Sequence, residues 1–223
     1  MGDITYRTAA DGGIFTERFS DEFQTLSDIG EDTIYVDEEK RLAINEEVYT
    51  DENLAKLGLD KSKLVEKKGV EVGNIFPLET KYTDALDVYY TDEKGNKQSI
   101  IMGCYGIGIS RLMGVVAEHF SDDKGLVWPD NIAPFKIYMV QIGEVNDEAQ
   151  KLHDQLTAAG HSVLWDDRDA RPGEKFADSE LMGIPHRIVI SPKLVEQGKI
   201  EYKSRKDSDS DLLTIDELLA KLN

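Results

Sequence analysis

The sequence predicts a protein that combines α-helices and β-strands in two successive parts, residues 1–132 and residues 133–223. In the first part, short apolar runs alternate with polar turns, and a glycine-rich turn joins a strand to a helix. In the second part, strands and helices alternate, which indicates a small, mostly parallel or mixed sheet with helices on its faces. Between them, Trp128-Pro129 and Pro134 interrupt the periodic patterns, so we place the domain boundary there.

Composition limits the class of protein. Apolar residues make up 40% of the 223 residues, which is enough to build packed cores. No apolar run approaches the roughly 20 residues of a membrane span, and no signal peptide opens the chain. A single cysteine, Cys104, excludes an internal disulfide and a cysteine-rich zinc site. A cytoplasmic protein that does not contact membranes is the simplest interpretation.

The net charge of −18 argues against general nucleic-acid binding, which requires a basic surface. The acidic excess is uneven, because residues 1–132 carry a net charge of −13 and residues 133–223 only −5. The second part is therefore the better candidate for contact with a polyanion.

In the first part, Asp3 to Asp32 holds strand-like pieces and polar turns, typical of a β-meander. The highly charged stretch 33–70 is most simply a solvated face, with a predicted helix from Asp51 to Leu64 that begins at Asp51 as its N-cap. The remaining predicted strands are Thr33 to Val36, Arg41 to Asn45, Val70 to Phe76, and Leu86 to Tyr90, which leads into a hairpin turn at Asp92 to Asn96.

The glycine-rich turn is the most informative stretch. The apolar run Ile100-Ile101-Met102 predicts a buried strand, and the apolar positions from Leu112 to Phe120 predict a helix. Glycines between them would let a backbone approach a ligand, and Arg111 could offer a fork of donors to a phosphate. The spacing matches neither the dinucleotide fingerprint nor the phosphate loop, so a tight turn with a surface arginine stays an equal alternative.

In the second part, the predicted elements alternate in type. Gly160 is expected to end the first helix, and Pro172-Gly173 precedes the second. The predicted elements, in order, are strand Phe135 to Ile142, helix Asp147 to Ala159, strand Ser162 to Trp165, helix Glu174 to Met182, strand Ile188 to Ile190, strand Glu201 to Lys203 and helix Thr214 to Leu222.

Several stretches resemble a known family. The run Gly106-Ile107-Gly108-Ile109-Ser110-Arg111-Leu112 resembles motif 3 of class II aminoacyl-tRNA synthetases, and the preceding Met102-Gly103-Cys104-Tyr105 narrows the resemblance to the prolyl-tRNA synthetases. YRTAADGG, FSDEFQTLSDIGED and WPDNIAPF are similar to further parts of that family. DDR followed by RPGEKFADSELMGIP is similar to the anticodon-binding domain of class IIa synthetases. The resemblance implies part of an antiparallel-sheet catalytic core followed by a small α/β anticodon-binding domain.

The resemblance also implies roles for residues of the first part. Arg111 would hold the triphosphate of ATP, which brings Mg²⁺ with it, and Gly106, Gly108 and Thr80 would complete the ATP site. Proline would lie in a pocket formed by Glu71, Asn74, Phe76 and Cys104. A buried core position for Cys104 and a structural ion pair for Glu71 are the competing interpretations. No cluster of metal ligands is visible in the sequence.

In the second part, the resemblance implies binding of tRNA(Pro). The residues expected to contact anticodon bases are Asp167, Arg168, Lys175, Glu180 and Arg187. A network of helix caps and salt bridges around Arg171-Pro172-Gly173 is the alternative for about half of them.

Departures from the family pattern qualify the resemblance. Many relatives have histidine where this chain has Asn74 and glycine where it has Glu79. Phe15 to Arg18 and Asp21 also depart from the family's Gly-Gly-Ser stretch and the Ser-His-Glu-Phe that follows it. The 33–70 insertion is too short for an editing domain. Motifs 1 and 2 are absent, so we expect no aminoacylation by this chain alone, although the full-length family is expected to form homodimers. The alternative is a non-catalytic accessory protein that binds tRNA through its anticodon domain.

Overall fold

A computed structural model describes residues 1–222. It divides into two compact units: the first is Met1–Val116, and the second begins at Ala117. Both contain helices and strands, as the sequence predicts.

The first unit is built around a closed ring of five strands. Its elements are β1 (Thr5–Ala10), β2 (Ser20–Leu26), β3 (Asp32–Asp37), β4 (Leu42–Asn45), α1 (Asp51–Leu57), β5 (Val65–Glu79), α2 (Lys81–Ala85), β6 (Tyr89–Thr91), β7 (Lys97–Ser99) and β8 (Met102–Ile107). Strand β1 pairs with β2 and β4, β4 with β3, and both β2 and β3 with β5. All of these pairings are antiparallel except β1–β4, and together they close β1 to β5 into a small barrel.

Alternation along the strands places the apolar core in this ring. Ile34 and Val36, two residues apart on β3, are fully buried and pack with Tyr6 and Ala43. Outside this cluster, Ile44 of β4 packs against Leu54 of α1.

The helix α1 is shorter than predicted. Thr50 rather than Asp51 is the N-cap, and its side chain accepts a hydrogen bond from the Asn53 amide. The helix ends at Leu57, because Gly58 adopts the left-handed conformation (φ 66°) that commonly ends helices. The prediction of a helix as far as Leu64 is therefore wrong.

Strand β8 extends the sheet beyond the ring. It pairs antiparallel with the second half of β5, from Gly73 to Glu79. The apolar run that predicts a buried strand is not buried in the described chain: Ile101 is 72% exposed and Tyr105, within β8, is 75% exposed. Of the predicted strand Ile100 to Met102, only Met102 lies in β8, and the predicted burial of Ile101 is wrong. The strand continues through Gly103 and Gly106, so the prediction of a turn at these two glycines is also wrong. The helix α3 (Ile109–His119) then follows after one residue.

The second unit contains a five-stranded mixed sheet in the order β12-β11-β13-β14-β15. The three strands β12, β11 and β13 run parallel, and β14 and β15 add antiparallel to β13. Its elements are β9 (Ser121–Asp122), β10 (Gly125–Leu126), β11 (Ile137–Gln141), α4 (Asn146–Ala158), β12 (Val163–Asp166), α5 (Pro172–Met182), β13 (His186–Ile190), α6 (Pro192–Glu196), β14 (Ile200–Ser204), β15 (Asp211–Leu213) and α7 (Ile215–Leu222). The alternating pattern predicts this sheet correctly, but misses the β9–β10 hairpin, α6 and β15.

The predicted division at residue 132 stays a prediction. The hairpin and the following segment belong to the second compact unit, which begins before that position. Residue 223, the predicted end of the second domain, lies outside the described residues.

A buried polar network lies where the parallel strands β11 and β12 end. Asp166 accepts hydrogen bonds from the Tyr138 hydroxyl (2.8 Å) and from Arg168 Nε (2.9 Å). Lys175, whose side chain is 3% exposed, donates to the carbonyl oxygens of Gln141 (2.7 Å) and Asp166 (3.1 Å). The Arg168 guanidinium lowers the pKa of Asp166 to about 2. The buried charges are therefore paired and hydrogen-bonded, as buried charges must be.

We expect Asp166→Asn to destabilise the second unit in a pH-dependent way. Because the pKa of Asp166 is lowered in the folded state, its carboxylate stabilises the fold above its ordinary pKa and loses that effect as the pH falls toward 2. The variant should lower the free energy of unfolding by about 2 kcal/mol at pH 7, and by progressively less below pH 4.

Urea unfolding can be followed by fluorescence, because both tryptophans, Trp128 and Trp165, lie in the second unit. Asp123→Asn, at an exposed position, is the control and should change little. Equal destabilisation by Asp166→Asn at pH 7 and pH 2.5 would contradict this account.

Candidate functional site

A chain of three polar side chains joins β5 to the start of α3. Arg111 Nη1 donates to Glu71 Oε2 (2.7 Å) and to the Glu71 carbonyl oxygen (3.1 Å). Asn74 Nδ2 donates to the other carboxylate oxygen of Glu71 (2.8 Å). Glu71 therefore forms a structural ion pair, which is the alternative to its predicted role in the proline pocket. Its partner is Arg111, the residue predicted to bind ATP.

The backbone brings these residues together. Asn74 lies opposite Gly106 in the β5–β8 ladder. The Gly108 amide continues the pairing by donating to the Val72 carbonyl (2.9 Å), and the Gly108 carbonyl accepts from the Leu112 amide (2.7 Å), which starts the helix. A Cβ atom at Gly106 would lie 2.7 Å from Asn74 Oδ1. Glycine at 106 is therefore required for the Asn74 side chain to stay in place.

Arg111 borders two cavities. One of about 370 Å³ is lined by residues of β5, β8 and the start of α3, including Asn74, Gly106 and Gly108. The other, of about 230 Å³, is lined by residues that include Asp32 and Gly69. The Arg111 side chain is 58% exposed, and among the described residues only its Nη1 has hydrogen-bond partners. The rest of the guanidinium fork can therefore bind an anionic group.

A second polar cluster next to Glu71 escapes the sequence prediction. Gln24, which is fully buried, donates to Glu22 (2.9 Å) and to Asp32 (2.6 Å), and Asn45 also donates to Glu22 (3.4 Å). Burial raises the pKa of Glu22, and the neighbouring charges of Glu71 and Asp32 raise it further. The alternation of polar residues in the sequence Asp-Glu-Phe-Gln of β2 is a weak signal of this cluster. The other members come from β3 and β4, which only the barrel brings close.

The remaining predicted residues of the first part lie along the same strands. Phe76 faces Cys104 in the β5–β8 register. Cys104 is exposed, so its interpretation as a buried core residue is wrong. Thr80 lies directly after β5, where its carbonyl accepts from the Asp84 amide (2.8 Å) of α2. Phe76, Thr80 and Cys104 are not among the described residues that line the two cavities beside Arg111, and their roles stay predictions.

Two of the departures from the family pattern, Glu79 and the stretch Phe15 to Arg18, lie next to one another. Arg18 forms an ion pair with Glu79, and the rings of Phe15 and Phe76 have centroids 5.0 Å apart. Glu79 has φ +50°, a left-handed conformation that glycine adopts without strain, and a register shift follows Pro77. Two sequence changes that looked independent are thus in direct contact.

In the second unit, the residues predicted to read an anticodon divide by environment. Arg168 is half-exposed but bound to Asp166 and to Asp178 (2.6 Å), and Lys175 is buried in the same network. These two fit the competing salt-bridge interpretation, and base contacts by them stay predictions. Asp167, which directly precedes Arg168, is exposed.

Arg187 and Glu180 lie on neighbouring elements. Arg187 pairs with Glu201 (3.3 Å), and its guanidinium lies over the Phe176 ring at 4.5 Å from the centroid. Glu180, near the end of α5, lies close to the ammonium groups of Lys124 (3.6 Å) and Lys203 (3.9 Å). Both remain partly accessible, as a base contact requires.

Two general features complete the description. Within residues 1–222, no three His, Cys, Asp or Glu side chains are arranged to hold a metal ion. In the same residues, no helix combines the length and apolar character needed to cross a membrane.

Comparison with known proteins bears on both units. A family model described as the tRNA synthetase class II core domain (G, H, P, S and T) matches residues 17–120. A model described as the anticodon binding domain matches residues 135–223.

Individual relatives are named proline--tRNA ligase. The chain is 48% identical over 154 residues to the protein of Paraburkholderia phymatum, 47% over 158 residues to that of Burkholderia ambifaria, and 48% over 158 residues to that of Burkholderia pseudomallei. The matches cover 67 to 69% of this chain and 27% of each relative, so the chain spans about a quarter of the length of these relatives.

We expect Gly106→Ala to lower the stability of the first unit by about 1 kcal/mol, because the added methyl group must displace Asn74 from Glu71. Gly114→Ala is the matched control. It lies within α3 with open space around it, and should instead raise stability by about 0.5 to 1 kcal/mol.

Thermal unfolding of Gly106→Ala in an Asn74→Ala background separates the cause. The cost of the methyl group should largely disappear there, since the clashing atom is gone. The same cost in both backgrounds would show that Gly106 is required for another reason.

Proposed function

Since this chain belongs to the prolyl-tRNA synthetase family of the class II aminoacyl-tRNA synthetases, we propose that it takes part in charging tRNA(Pro) with proline. The first unit would supply one wall of the site that activates proline with ATP, and the second unit would bind the tRNA. We expect this to take place in the cytoplasm, with the homodimer of the full-length family as the assembled form.

The proposed reaction needs positioned charge rather than a side-chain nucleophile. The proline carboxylate attacks the α-phosphate of ATP and pyrophosphate leaves, after which a ribose hydroxyl at the tRNA 3′ end attacks the prolyl carbonyl and AMP leaves. Enzymes favour such steps by holding the reactants in line and stabilising the developing negative charge.

One observation carries the proposal for the first unit: the hydrogen-bonded chain from Asn74 through Glu71 to Arg111. It fixes Nη1 of the guanidinium, and Arg111 lines both cavities, so Nε and Nη2 are available to hold the triphosphate. Glu71 then acts as the group that orients Arg111. Asn74, Phe76 and Cys104 would contact proline, and Gly106, Gly108 and Thr80 would contact ATP.

Magnesium would arrive with ATP and neutralise part of its phosphate charge. In this proposal the residues of this chain hold the nucleotide, and the Mg²⁺ ion is bound mainly by its phosphates. The Arg111 guanidinium is the charge of this chain that we assign to that task.

A second candidate function is favoured by the exposure of β8. Its outer edge is unpaired among the described residues, and Tyr105 and Ile107 are largely exposed. The second unit, by contrast, has a complete core on both faces of its sheet. On this alternative, the chain is a non-catalytic accessory protein that binds tRNA. Under both proposals we expect the chain alone to make no prolyl-tRNA.

The first test is calorimetric titration of the chain with a non-hydrolysable prolyl-adenylate analogue. We expect micromolar binding that weakens at least about tenfold in Arg111→Ala, the loss of a charge-assisted contact. Arg111→Lys should be intermediate, because lysine keeps the charge without the planar fork.

Arg7→Ala is the matched control, since Arg7 is an exposed arginine of the same unit whose partner is Asp21. It should bind as the unchanged chain does. Equal affinity of the Arg111→Ala variant would contradict the role of Arg111. No binding of the analogue, together with retained binding of tRNA(Pro), would favour the accessory protein.

A further inference from the structure

The last turn of α5 is held from outside the helix. Helix C-termini leave carbonyl oxygens without partners in the helix. Here the Glu180 carbonyl accepts a hydrogen bond from Arg205 Nε (3.1 Å). The Met182 carbonyl accepts one from the indole N–H of Trp128 (3.0 Å), and the Gly183 carbonyl accepts one from the Trp128 backbone amide (3.1 Å). A cationic donor at this end also interacts favourably with the helix dipole. The orientation of this turn therefore depends on Arg205 and Trp128.

Arg205 is in turn fixed by the β9–β10 hairpin. Its side chain is 7% exposed and binds both carboxylate oxygens of Asp122, at 2.6 and 2.9 Å. The same carboxylate accepts the backbone amides of Lys124 (2.9 Å) and Gly125 (3.1 Å) and so closes the hairpin turn. The hydrogen bond from Arg205 is the largest cause that holds the pKa of Asp122 well below its usual range. One carboxylate thus shapes the hairpin and anchors the buried arginine.

The hairpin and the helix end are in close contact. A Cβ atom at Gly125 (φ +144°) would lie 2.5 Å from the Leu181 Cα atom. A Cβ atom at Gly183 (φ +68°) would lie 1.9 Å from the Leu126 carbonyl oxygen. Both positions therefore need glycine, and the contact leaves no room for the hairpin to shift along α5.

The side chain of Glu180 lies where these contacts meet. Its carboxylate is near Lys124 of the hairpin and Lys203 of β14, while its own carbonyl oxygen is held by Arg205. The two ammonium groups lie 3.6 and 3.9 Å from Glu180 Oε1. At these distances their charges orient the carboxylate without forming close hydrogen bonds, so its acceptor sites stay available. Its side chain is 30% exposed.

We infer that Asp122, Lys124 and Arg205 are positioning residues that orient Glu180. Through them, the segment Ser121–Trp128 contributes to tRNA binding. The segment lies between the two family matches, residues 17–120 and 135–223, and belongs to neither. The inference rests on the proposed function, because Glu180 is the residue that would accept a hydrogen bond from an anticodon base. Base contacts set specificity, whereas charge alone sets overall affinity.

The test compares two transcripts: tRNA(Pro) with its proline anticodon, and the same transcript with the anticodon bases replaced. Binding to the full chain is measured by fluorescence anisotropy at fixed salt. Glu180→Gln should lower the preference for the proline anticodon about tenfold. Lys124→Ala and Arg205→Lys should lower this preference about threefold or more. Their affinity for the transcript with the replaced anticodon should stay within about twofold of that of the unchanged chain.

The control is Lys199→Gln, which removes a lysine of the same unit whose partner is Glu217 and which lies outside these contacts. Loss of a positive charge that only contacts phosphate weakens both transcripts alike, so the ratio of affinities separates positioning from charge. Lys124 is an exposed side chain, so its variant keeps the test valid if Arg205→Lys fails to fold.

The outcomes are distinguishable. If the unchanged chain does not prefer the proline anticodon, the proposed function of the second unit fails and the inference fails with it. If Glu180→Gln loses the preference but Lys124→Ala and Arg205→Lys keep it, the proposed function stands and the inference is overturned. Uniform weakening of both transcripts by Lys124→Ala would also overturn it, because that result identifies a phosphate contact.

Discussion

The first unit depends on the pairing register of the 15-residue strand β5. Its residues 65–75 close the barrel by pairing first with β3 and then with β2, and its residues 73–79 also pair with β8. Glu71 and Asn74 are three residues apart, and the register shift that leaves Val72 as an extra residue between them brings their side chains together. A slip of one residue would move both to the opposite face. The same hydrogen bonds that close the core therefore also place the partner of Arg111. Stability and the candidate site cannot be separated along this strand.

Both units use carboxylates to orient cations. Glu71 fixes one edge of Arg111, Asp166 fixes Arg168 and lies beside Lys175, and Asp122 holds Arg205. An arginine gains most from such pairing, because its planar fork keeps further donors available after one edge is bound. The cost is that some basic residues in a strongly acidic chain are already paired. Affinity for a polyanion must therefore come from a few well-placed groups rather than from overall charge.

Two departures from the family pattern, at Glu79 and at Phe15 to Arg18, meet in one region of the fold. A left-handed backbone at Glu79 costs on the order of 1 kcal/mol relative to glycine. Its side chain meets Arg18, from the other stretch that departs, and Lys81 donates to the Phe15 carbonyl oxygen (3.4 Å) on the same loop. The two changes form one contact region, and their effects on stability are expected to be coupled.

The sequence by itself determined the family, the mixed α and β class and the order of most elements, and it predicts a ligand-binding role for the stretch around Arg111. These follow from local periodicity, from turn residues and from short motifs, all of which are readable within one element. It also predicted the strand at Met102, but not its exposure, because burial depends on which strands lie beside it. Helix α1 is shorter than the sequence predicts, because the apolar pattern continues past Gly58, whose left-handed backbone ends the helix.

Only the tertiary structure decided that Glu71 pairs with Arg111 and that Glu22 joins Gln24 and Asp32. It also decided that Asp122 binds Arg205, 83 residues away. Contacts between residues distant in sequence depend on strand register and helix packing, and a single sequence contains no local signal for either.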